Sequence, residues 1–205
     1  MKARWPWLSV GTVFVALLTY ALPSLAQTLI YDRQAIGNGE VWRFITGHWV
    51  HFSVSHLMLD ALVLGLTGGL IEVTDRRRLV LLLLFGPLGI SVGLLTLQPE
   101  LTHYGGLSGL ATAALVMLAL EVRQRSRGFR LIGTAALLLI STKIALEWTT
   151  GHLLFATIQT DNIGPCPLSH FLGVVIGFAV SLKAPRISTS ERAGSNLPSE
   201  PTSVH

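Results

Sequence analysis

The sequence is poor in charge and in cysteine. Only 13% of its 205 residues are Asp, Glu, Lys or Arg, whereas ordinary soluble domains carry about 25%. The single cysteine, Cys166, excludes an intrachain disulfide and a zinc site built from several cysteines. Half of the residues are hydrophobic, and the mean hydropathy is +0.57. These proportions indicate an integral membrane protein whose surroundings include the lipid bilayer.

Six apolar stretches are long enough, or nearly so, to cross a bilayer, which takes about 20 apolar residues. The sequence therefore predicts an all-α membrane domain of six transmembrane helices over 1–183. A tail over 184–205 is rich in Ser, Pro, Thr and Glu, and it is predicted to be disordered and cytoplasmic. The six stretches cover residues 7–26, 52–71, 79–97, 107–120, 131–148 and 168–182.

The basic residues are segregated, so the net charge of +4 does not indicate nucleic-acid binding. An excess of Lys and Arg marks the cytoplasmic loops of membrane proteins. Twelve of the fifteen fall on one predicted side, Arg33 and Arg43 fall on the other, and Lys143 lies within the fifth stretch. We therefore expect both termini to be cytoplasmic. The twelve are Lys2, Arg4, Arg76, Arg77, Arg78, Arg123, Arg125, Arg127, Arg130, Lys183, Arg186 and Arg192.

A glycine-flanked serine, Ser108, stands where a polar loop meets the fourth apolar stretch. Gly106 and Gly109 remove side-chain bulk beside its hydroxyl. One interpretation is a serine that caps the helix. The other is a nucleophile at the positive end of a helix, with backbone N–H groups beside it.

The length of the fourth stretch bears on where that serine lies. Fourteen residues rise only about 21 Å, which is less than the roughly 30 Å of a hydrocarbon core. The preceding segment, 98–106, is therefore expected to dip into the membrane. Irregular backbone at that depth is buried in protein or lines a water-filled cavity. Ser108 is thus predicted at the floor of a cavity open to the extracytoplasmic side.

Ionisable groups also occur at the outer ends of two other predicted helices, where such groups are costly and are functional candidates. His56 and Asp60 are four residues apart and share one helix face, and His51 precedes them. The alternative for His56 and Asp60 is a structural hydrogen-bonded pair that closes the bundle.

His170 opens the sixth stretch. Gly173 and Gly177 follow it in a small-xxx-small pattern that lets another helix approach closely. A natural partner is the helix that begins near Ser108, and that approach would set His170 against Ser108. A serine within reach of a histidine is the minimal activated nucleophile. The alternative for His170 is an interface histidine bonded to a loop carbonyl.

As an ordered set, these motifs resemble those of the rhomboid intramembrane serine proteases. Gly106-Leu107-Ser108-Gly109 matches GxSG, and the run from Ser169-His170 to Gly177 resembles AHxxGxxxG. The pair Trp42-Arg43 and the pattern of His51, His56 and Asp60 match two further rhomboid motifs.

The resemblance implies a six-helix bundle that cleaves single-span membrane proteins near the outer membrane face. Ser108 would be the nucleophile, and His170 the general base and then the general acid. The oxyanion hole would combine His56, the residue at position 60 and the backbone N–H of Ser108, with Gly106 in support. The resemblance implies no cofactor and no metal.

Two positions depart from the family pattern. Rhomboids commonly place Asn where this chain has Asp60, so Asp60 is either protonated in its apolar setting or orients His56. Many rhomboids carry, at the position of Thr112, a Tyr that stacks on the catalytic His. The base in this chain is therefore expected to be held by another group.

A narrower resemblance is to the rhombosortases, bacterial relatives that process proteins with C-terminal Gly-Gly sorting tails. It is carried by Tyr31-Asp32-Arg33, by the runs 39–43 and 46–51, and by Lys143-Ile-Ala-Leu-Glu147. Lys143 and Glu147 are four residues apart, and a structural pair on one helix face is favoured over catalysis.

Two other functions stay open. A catalytically inactive rhomboid-like protein would bind membrane proteins and guide their trafficking, and Asp60 is its main support. A metal site or transporter would use His51, His56, Asp60, His152 and His170, although their spacing does not demand a metal. The leading prediction places a protease in the inner cell membrane, with the loop 149–165 as a gate. The sequence carries no signal of oligomeric state.

Overall fold

The computed structural model describes residues 5–151 and 166–183. The predicted tail over 184–205, most of the predicted gate and His152 lie outside the described residues. The described helices are α1 (Trp7–Ala21), α2 (Pro23–Leu29), α3 (Arg33–Gly37), α4 (Arg43–Thr46), α5 (Val54–Leu97), α6 (Ser108–Val122), α7 (Arg127–Thr150) and α8 (Pro167–Lys183). A 3-10 turn covers Gly47–Trp49, and two short strands are β1 (Tyr31–Asp32) and β2 (His103–Tyr104).

Helix occurs at all six predicted stretches, which confirms a helical membrane bundle. The second and third stretches are the two arms of α5, which meet at a kink where Asp75 has φ −148° and ψ 82°. Among the described residues, α5 and α7 are long and apolar enough to cross a membrane. The bent pair α1–α2 makes a third if it counts as one span. The number of crossings stays a prediction.

The predicted far end of the first stretch is wrong. Instead of continuing to residue 26, α1 stops at Ala21, and α2 leaves at a bend of 113°. Pro23 explains the break, because proline disfavours helical backbone at the residue before it. Leu22 accordingly has φ −120° and ψ 85°.

The core of the bundle surrounds α6. Leu110, Ala113, Val116 and Met117 of this helix are completely buried, as expected for a helix that is apolar on all sides. The arms of α5 and the helices α7 and α8 pack around it. Because Ser108 is the first residue of α6, the central helix carries the candidate nucleophile into the interior.

The close approach of the sixth predicted helix to the fourth is confirmed. A Cβ added to Gly177 would lie 2.6 Å from the carbonyl oxygen of Ala113, and one added to Gly173 would collide with the carbonyl of Gly109. Side-chain atoms at these two positions would push α8 away from α6. The glycines therefore fix how closely the start of α8 lies to the start of α6.

The segment between α1 and α5 is tied to the loop before Ser108. Strand β1 pairs antiparallel with β2, with Tyr31 opposite Tyr104. Arg33 donates hydrogen bonds to four carbonyl oxygens at and beyond the end of α5, where helix carbonyls run short of donors within the helix. Asp32 caps α3, and the backbone N–H of Ala35 is the main cause that lowers the pKa of this carboxyl. The accepting carbonyls are those of Leu94, Leu95, Gln98 and Leu101.

A buried carboxylate fixes α1 to the bundle. Glu72 of α5 is 2% exposed. It accepts hydrogen bonds from the backbone N–H groups of Leu8 (3.0 Å) and Ser9 (2.9 Å) and from the Ser9 hydroxyl (3.0 Å). Glu72 thus supplies acceptors for the first turn of α1, whose N–H groups have no partner within the helix.

Candidate active site

A cavity of about 220 Å³ lies among α5, α6, α7 and α8. Most of its wall is apolar, with Leu, Val, Ile and Ala side chains between the polar groups. The cavity brings together the four residues that the sequence singled out for chemistry, and it adds two from α7. Its nucleophilic and ionisable lining consists of His56, Asp60, Ser108, Lys143, Glu147 and His170.

Ser108 does not cap its helix. The N-cap residue of α6 is Leu107, and no side chain caps this end, so the capping interpretation of Ser108 is wrong. The first helical hydrogen bond runs from the Ala111 N–H to the Leu107 carbonyl at 2.8 Å. The N–H groups before Ala111, including that of Ser108, have no acceptor within the helix. A serine hydroxyl and bare helix N–H groups therefore occur together at one wall of the cavity.

Gly106 is required by its backbone and by its surroundings. Its φ is +124°, a region that residues with side chains rarely adopt. A Cβ at this position would lie 2.7 Å from both Cε1 and Nε2 of His56. The loop that precedes Ser108 therefore packs directly against the imidazole of His56, and only a residue without a Cβ allows that contact.

Asp60 lies between two histidines. Its Oδ2 is 3.2 Å from Nε2 of His51 and 3.3 Å from Nε2 of His56. Nδ1 of His51 donates to the carbonyl of Trp49 at 3.1 Å, and its Nε2 is also 3.3 Å from the Leu107 N–H. Asp60 thus contacts both imidazoles, as the hypothesis of an orienting carboxylate requires.

His56 itself has one ring nitrogen engaged. Within the described part of the chain, its buried Nδ1 has no hydrogen-bond partner. His56 lines the cavity with Ser108. His56 can act as a donor to an oxygen that develops negative charge only in a state in which Nδ1 carries a proton.

His170 is held by a carboxylate that the sequence interpretation assigned elsewhere. Its Nδ1 lies 2.7 Å from Oε2 of Glu147, while Nζ of Lys143 lies 2.7 Å from Oε1 of the same carboxylate. Glu147 is completely buried and His170 is 3% exposed. The predicted pair of Lys143 and Glu147 exists, but its interpretation as a pair alone missed the contact with α8.

Thr112 has only a short side chain beside Ser108. Thr112 Oγ1 donates to the Ser108 carbonyl at 2.8 Å and offers no aromatic face to His170. The sequence indicated that another group holds the histidine without identifying it, and Glu147 is the carboxylate in contact with His170.

Trp42 and Arg43 lie apart from the cavity lining. Arg43 is 8% exposed and donates to Glu40 and to the carbonyls of Gln27 and Ile30. Trp42 is half exposed, and its Nε1 donates to the Thr28 carbonyl at 3.3 Å. Both residues brace the segment between α1 and α5.

The described residues include no group of three or more His, Cys, Asp or Glu side chains arranged to hold a metal ion. His152, which belonged to the metal alternative, lies outside the described residues.

These features define a class of protein: a multi-pass membrane protein whose buried helix start carries a serine in the same cavity as a histidine. The model of the Rhomboid domain matches residues 38–186, and the chain belongs to the rhomboid family. It is also 24% identical over 167 residues to Rhomboid-related protein 3 from Homo sapiens. That match covers 77% of this chain and 39% of the human protein, so the chain spans well under half the length of that relative.

Proposed function

We propose that the protein is an intramembrane serine endopeptidase that uses Ser108 as nucleophile and His170 as general base. The observation that carries the proposal is the shared cavity, in which Ser108 starts a buried helix and His170 has a carboxylate on Nδ1. Membership of the rhomboid family supports the same reaction class.

The groups around the cavity supply the other parts of acyl transfer. Attack of Ser108 Oγ on a peptide carbonyl produces a tetrahedral oxyanion, for which we assign the Ser108 N–H as a donor, joined by His56 when its Nδ1 carries a proton. Loss of one such donor costs about 3–4 kcal/mol in known hydrolases. His170 takes the serine proton and then returns it to the leaving amine. No metal or cofactor takes part.

The substrate is proposed to be a single-span membrane protein cut near the outer membrane face. A transmembrane helix hides its peptide bonds, so the cleaved stretch has to be extended before it reaches Ser108. Glycine weakens a helix enough for that. The placement of Lys and Arg supports six crossings with cytoplasmic termini and a site that opens to the extracytoplasmic side of the inner membrane.

A narrower proposal is that the substrates carry C-terminal Gly-Gly sorting tails, as the resemblance to rhombosortases implies. It is supported by the runs 31–33 and 46–51 and by the pair of Lys143 and Glu147. A reporter with such a tail, compared with the same reporter after its glycines are changed to leucines, tests the preference.

A fluorescent fluorophosphonate on purified, detergent-solubilised protein tests the proteolytic function. We expect the unmodified protein to be labelled, Ser108→Ala to be unlabelled, and Ser141→Ala to be labelled like the unmodified protein, because Ser141 is exposed on α7. A folded protein that is not labelled at neutral pH would overturn the proposal. It would favour the inactive rhomboid-like factor that binds membrane proteins.

A further inference from the structure

Glu147 divides its two oxygens between two partners on two helices. Oε1 accepts from Lys143 on its own helix, and Oε2 is 2.7 Å from Nδ1 of His170 on α8. We propose that Glu147 is the positioning residue of the base, so that Ser108, His170 and Glu147 act as a triad. This inference rests on the proposed function of the site.

Burial makes this contact more than a surface ion pair. The side chains of Glu147 and His170 are 0% and 3% exposed, whereas that of Lys143 is 28% exposed. A buried carboxylate is retained only with partners for its charge and its lone pairs. Lys143 supplies a positive charge beside Oε1, and the imidazole of His170 contacts Oε2.

The contact determines which ring nitrogen of His170 carries the proton. A carboxylate only accepts hydrogen bonds, so the ring has its proton on Nδ1 and donates to Oε2. In the neutral ring, Nε2 is then the nitrogen that accepts a proton. Nε2 is the nitrogen that the proposed mechanism requires as base for Ser108.

Lys143 also approaches the histidine, because its ammonium is 3.2 Å from Nδ1 of His170 and 2.7 Å from Oε1 of Glu147. An ammonium group only donates hydrogen bonds. Glu147, at 2.7 Å, is therefore the acceptor for the Nδ1 proton of His170.

The reaction then needs only substrate and water. The bond from Ser108 Oγ to the carbonyl carbon forms while the hydroxyl proton moves to Nε2 and the carbonyl electron pair moves to oxygen. Collapse of that oxyanion breaks the C–N bond, and the amine leaves with the proton from Nε2. Water repeats the sequence to release the acid. Glu147 keeps its negative charge throughout and stabilises the transient imidazolium.

The decisive variant is Glu147→Gln. The amide can donate to Nδ1, which moves the ring proton to Nε2 and removes the base. A carboxylate-to-amide change of this kind lowers kcat about 10⁴-fold in one serine protease triad. With the fluorophosphonate, we expect the maximal labelling rate to fall at least about 10²-fold while the half-saturating probe concentration stays within about threefold. Glu147→Asp, which keeps the carboxylate, should be labelled at least about tenfold faster than Glu147→Gln.

Glu121→Gln is the control, because Glu121 is likewise a glutamate in ion pairs, with Arg78 and Arg125, although it is only partly buried, and it lies outside the cavity lining. Its labelling rate should equal that of the unmodified protein. A Glu147→Gln protein that is labelled at the normal rate would overturn the inference and leave the protease proposal intact.

A second measurement does not depend on the folding of any variant at position 147. In ¹⁵N-histidine-labelled protein of unmodified sequence, the His170 resonances, assigned by their loss in His170→Gln, should show the Nδ1–H tautomer at neutral pH. A ring protonated on Nε2 alone would overturn the inference. A folded protein that shows the Nδ1–H tautomer but does not react with the fluorophosphonate would instead count against the protease proposal and not against the contact between His170 and Glu147.

Discussion

Nδ1 of His170 and Oε2 of Glu147, 2.7 Å apart, join the C-terminal end of α7 to the start of α8. The buried residues of α7 recur at intervals of seven, four and three positions, which is one face of a helix. The rest of α7 is largely exposed to the surroundings, where lipid would lie. The proposed base thus contacts the last member of a narrow stripe, which consists of Gly133, Ile140, Ile144 and Glu147.

Asp60→Asn should keep activity within about threefold of the unmodified protein or raise it. The two histidine Nε2 atoms share one Asp60 oxygen, and an amide nitrogen there has one proton for each of them. His56 would then carry its own proton on Nδ1, where it can donate to an oxyanion. Asp60→Ala removes the side-chain partner of the His56 ring, whereas His51 keeps its contacts with Trp49 and Leu107, and we expect a loss of about 10²-fold, similar to the loss of an oxyanion donor.

Fluorophosphonate labelling rates of the two Asp60 variants measure the difference. If Asp60→Asn is as inactive as Asp60→Ala, the negative charge itself is required.

Gly106→Ala should abolish activity, because the added methyl group meets the His56 ring at 2.7 Å and the backbone has φ +124°. Gly39→Ala is the matched control, since Gly39 has φ +103° with nothing within 4 Å of an added Cβ. Both changes carry backbone strain of about 1–3 kcal/mol. Labelling and thermal unfolding should therefore show lost stability in both variants and lost activity in Gly106→Ala alone. Equal activity of the two variants would contradict the role of the contact with His56.

Gly173→Ala should separate the base from the nucleophile. The new methyl group meets the Gly109 carbonyl, so α8 has to shift outward, and a displacement of about 1 Å can cost about 10²-fold in rate. Gly11→Ala, in α1, places the same methyl group in open space and should raise helix stability by about 0.5–1 kcal/mol. Rates of substrate-reporter cleavage compare the two. Normal cleavage by Gly173→Ala would show that α8 tolerates the shift.

Glu72→Ala should destabilise the bundle without changing the activity per folded molecule. Three hydrogen bonds to the first turn of α1 are lost, and each buried group left without a partner costs about 1–3 kcal/mol. At about 2–4 °C per kcal/mol, the unfolding midpoint in detergent should fall by about 6 °C or more. Glu100→Ala, on an exposed residue, should leave it unchanged. An unaltered midpoint for Glu72→Ala would mean that α1 contributes little to stability.

The helices and the glycine-serine motif could be predicted because their signals are local. The lengths of the apolar runs predicted the six stretches, and the small-xxx-small pattern predicted the close approach of α8 to α6. Proline was a less consistent guide, since Pro23 ends α1 whereas Pro87 lies inside α5 without ending it. A proline limits the backbone beside it, and packing decides whether the helix continues.

The contact between Glu147 and His170 could not be predicted from spacing. Spacing of four residues relates Glu147 to Lys143 on one helix face. It carries no information about a histidine 23 positions further along on another helix, which depends on how α7 is rotated against α8. In the sequence, Arg33 serves as a topology signal and as part of the resemblance to rhombosortases, whereas its four carbonyl partners follow from the fold of the segment between α1 and α5.

The strand pair of Tyr31 with Tyr104 has a practical consequence for anyone who shortens the chain. The family match begins at residue 38, yet β1 and Arg33 come before it and hold the loop that leads to Ser108. A fragment cut to 38–186 would retain every residue that lines the cavity and lose what holds that loop in place. The smallest active fragment should therefore begin upstream of Tyr31, and upstream of Leu8 if the anchor at Glu72 is to be kept.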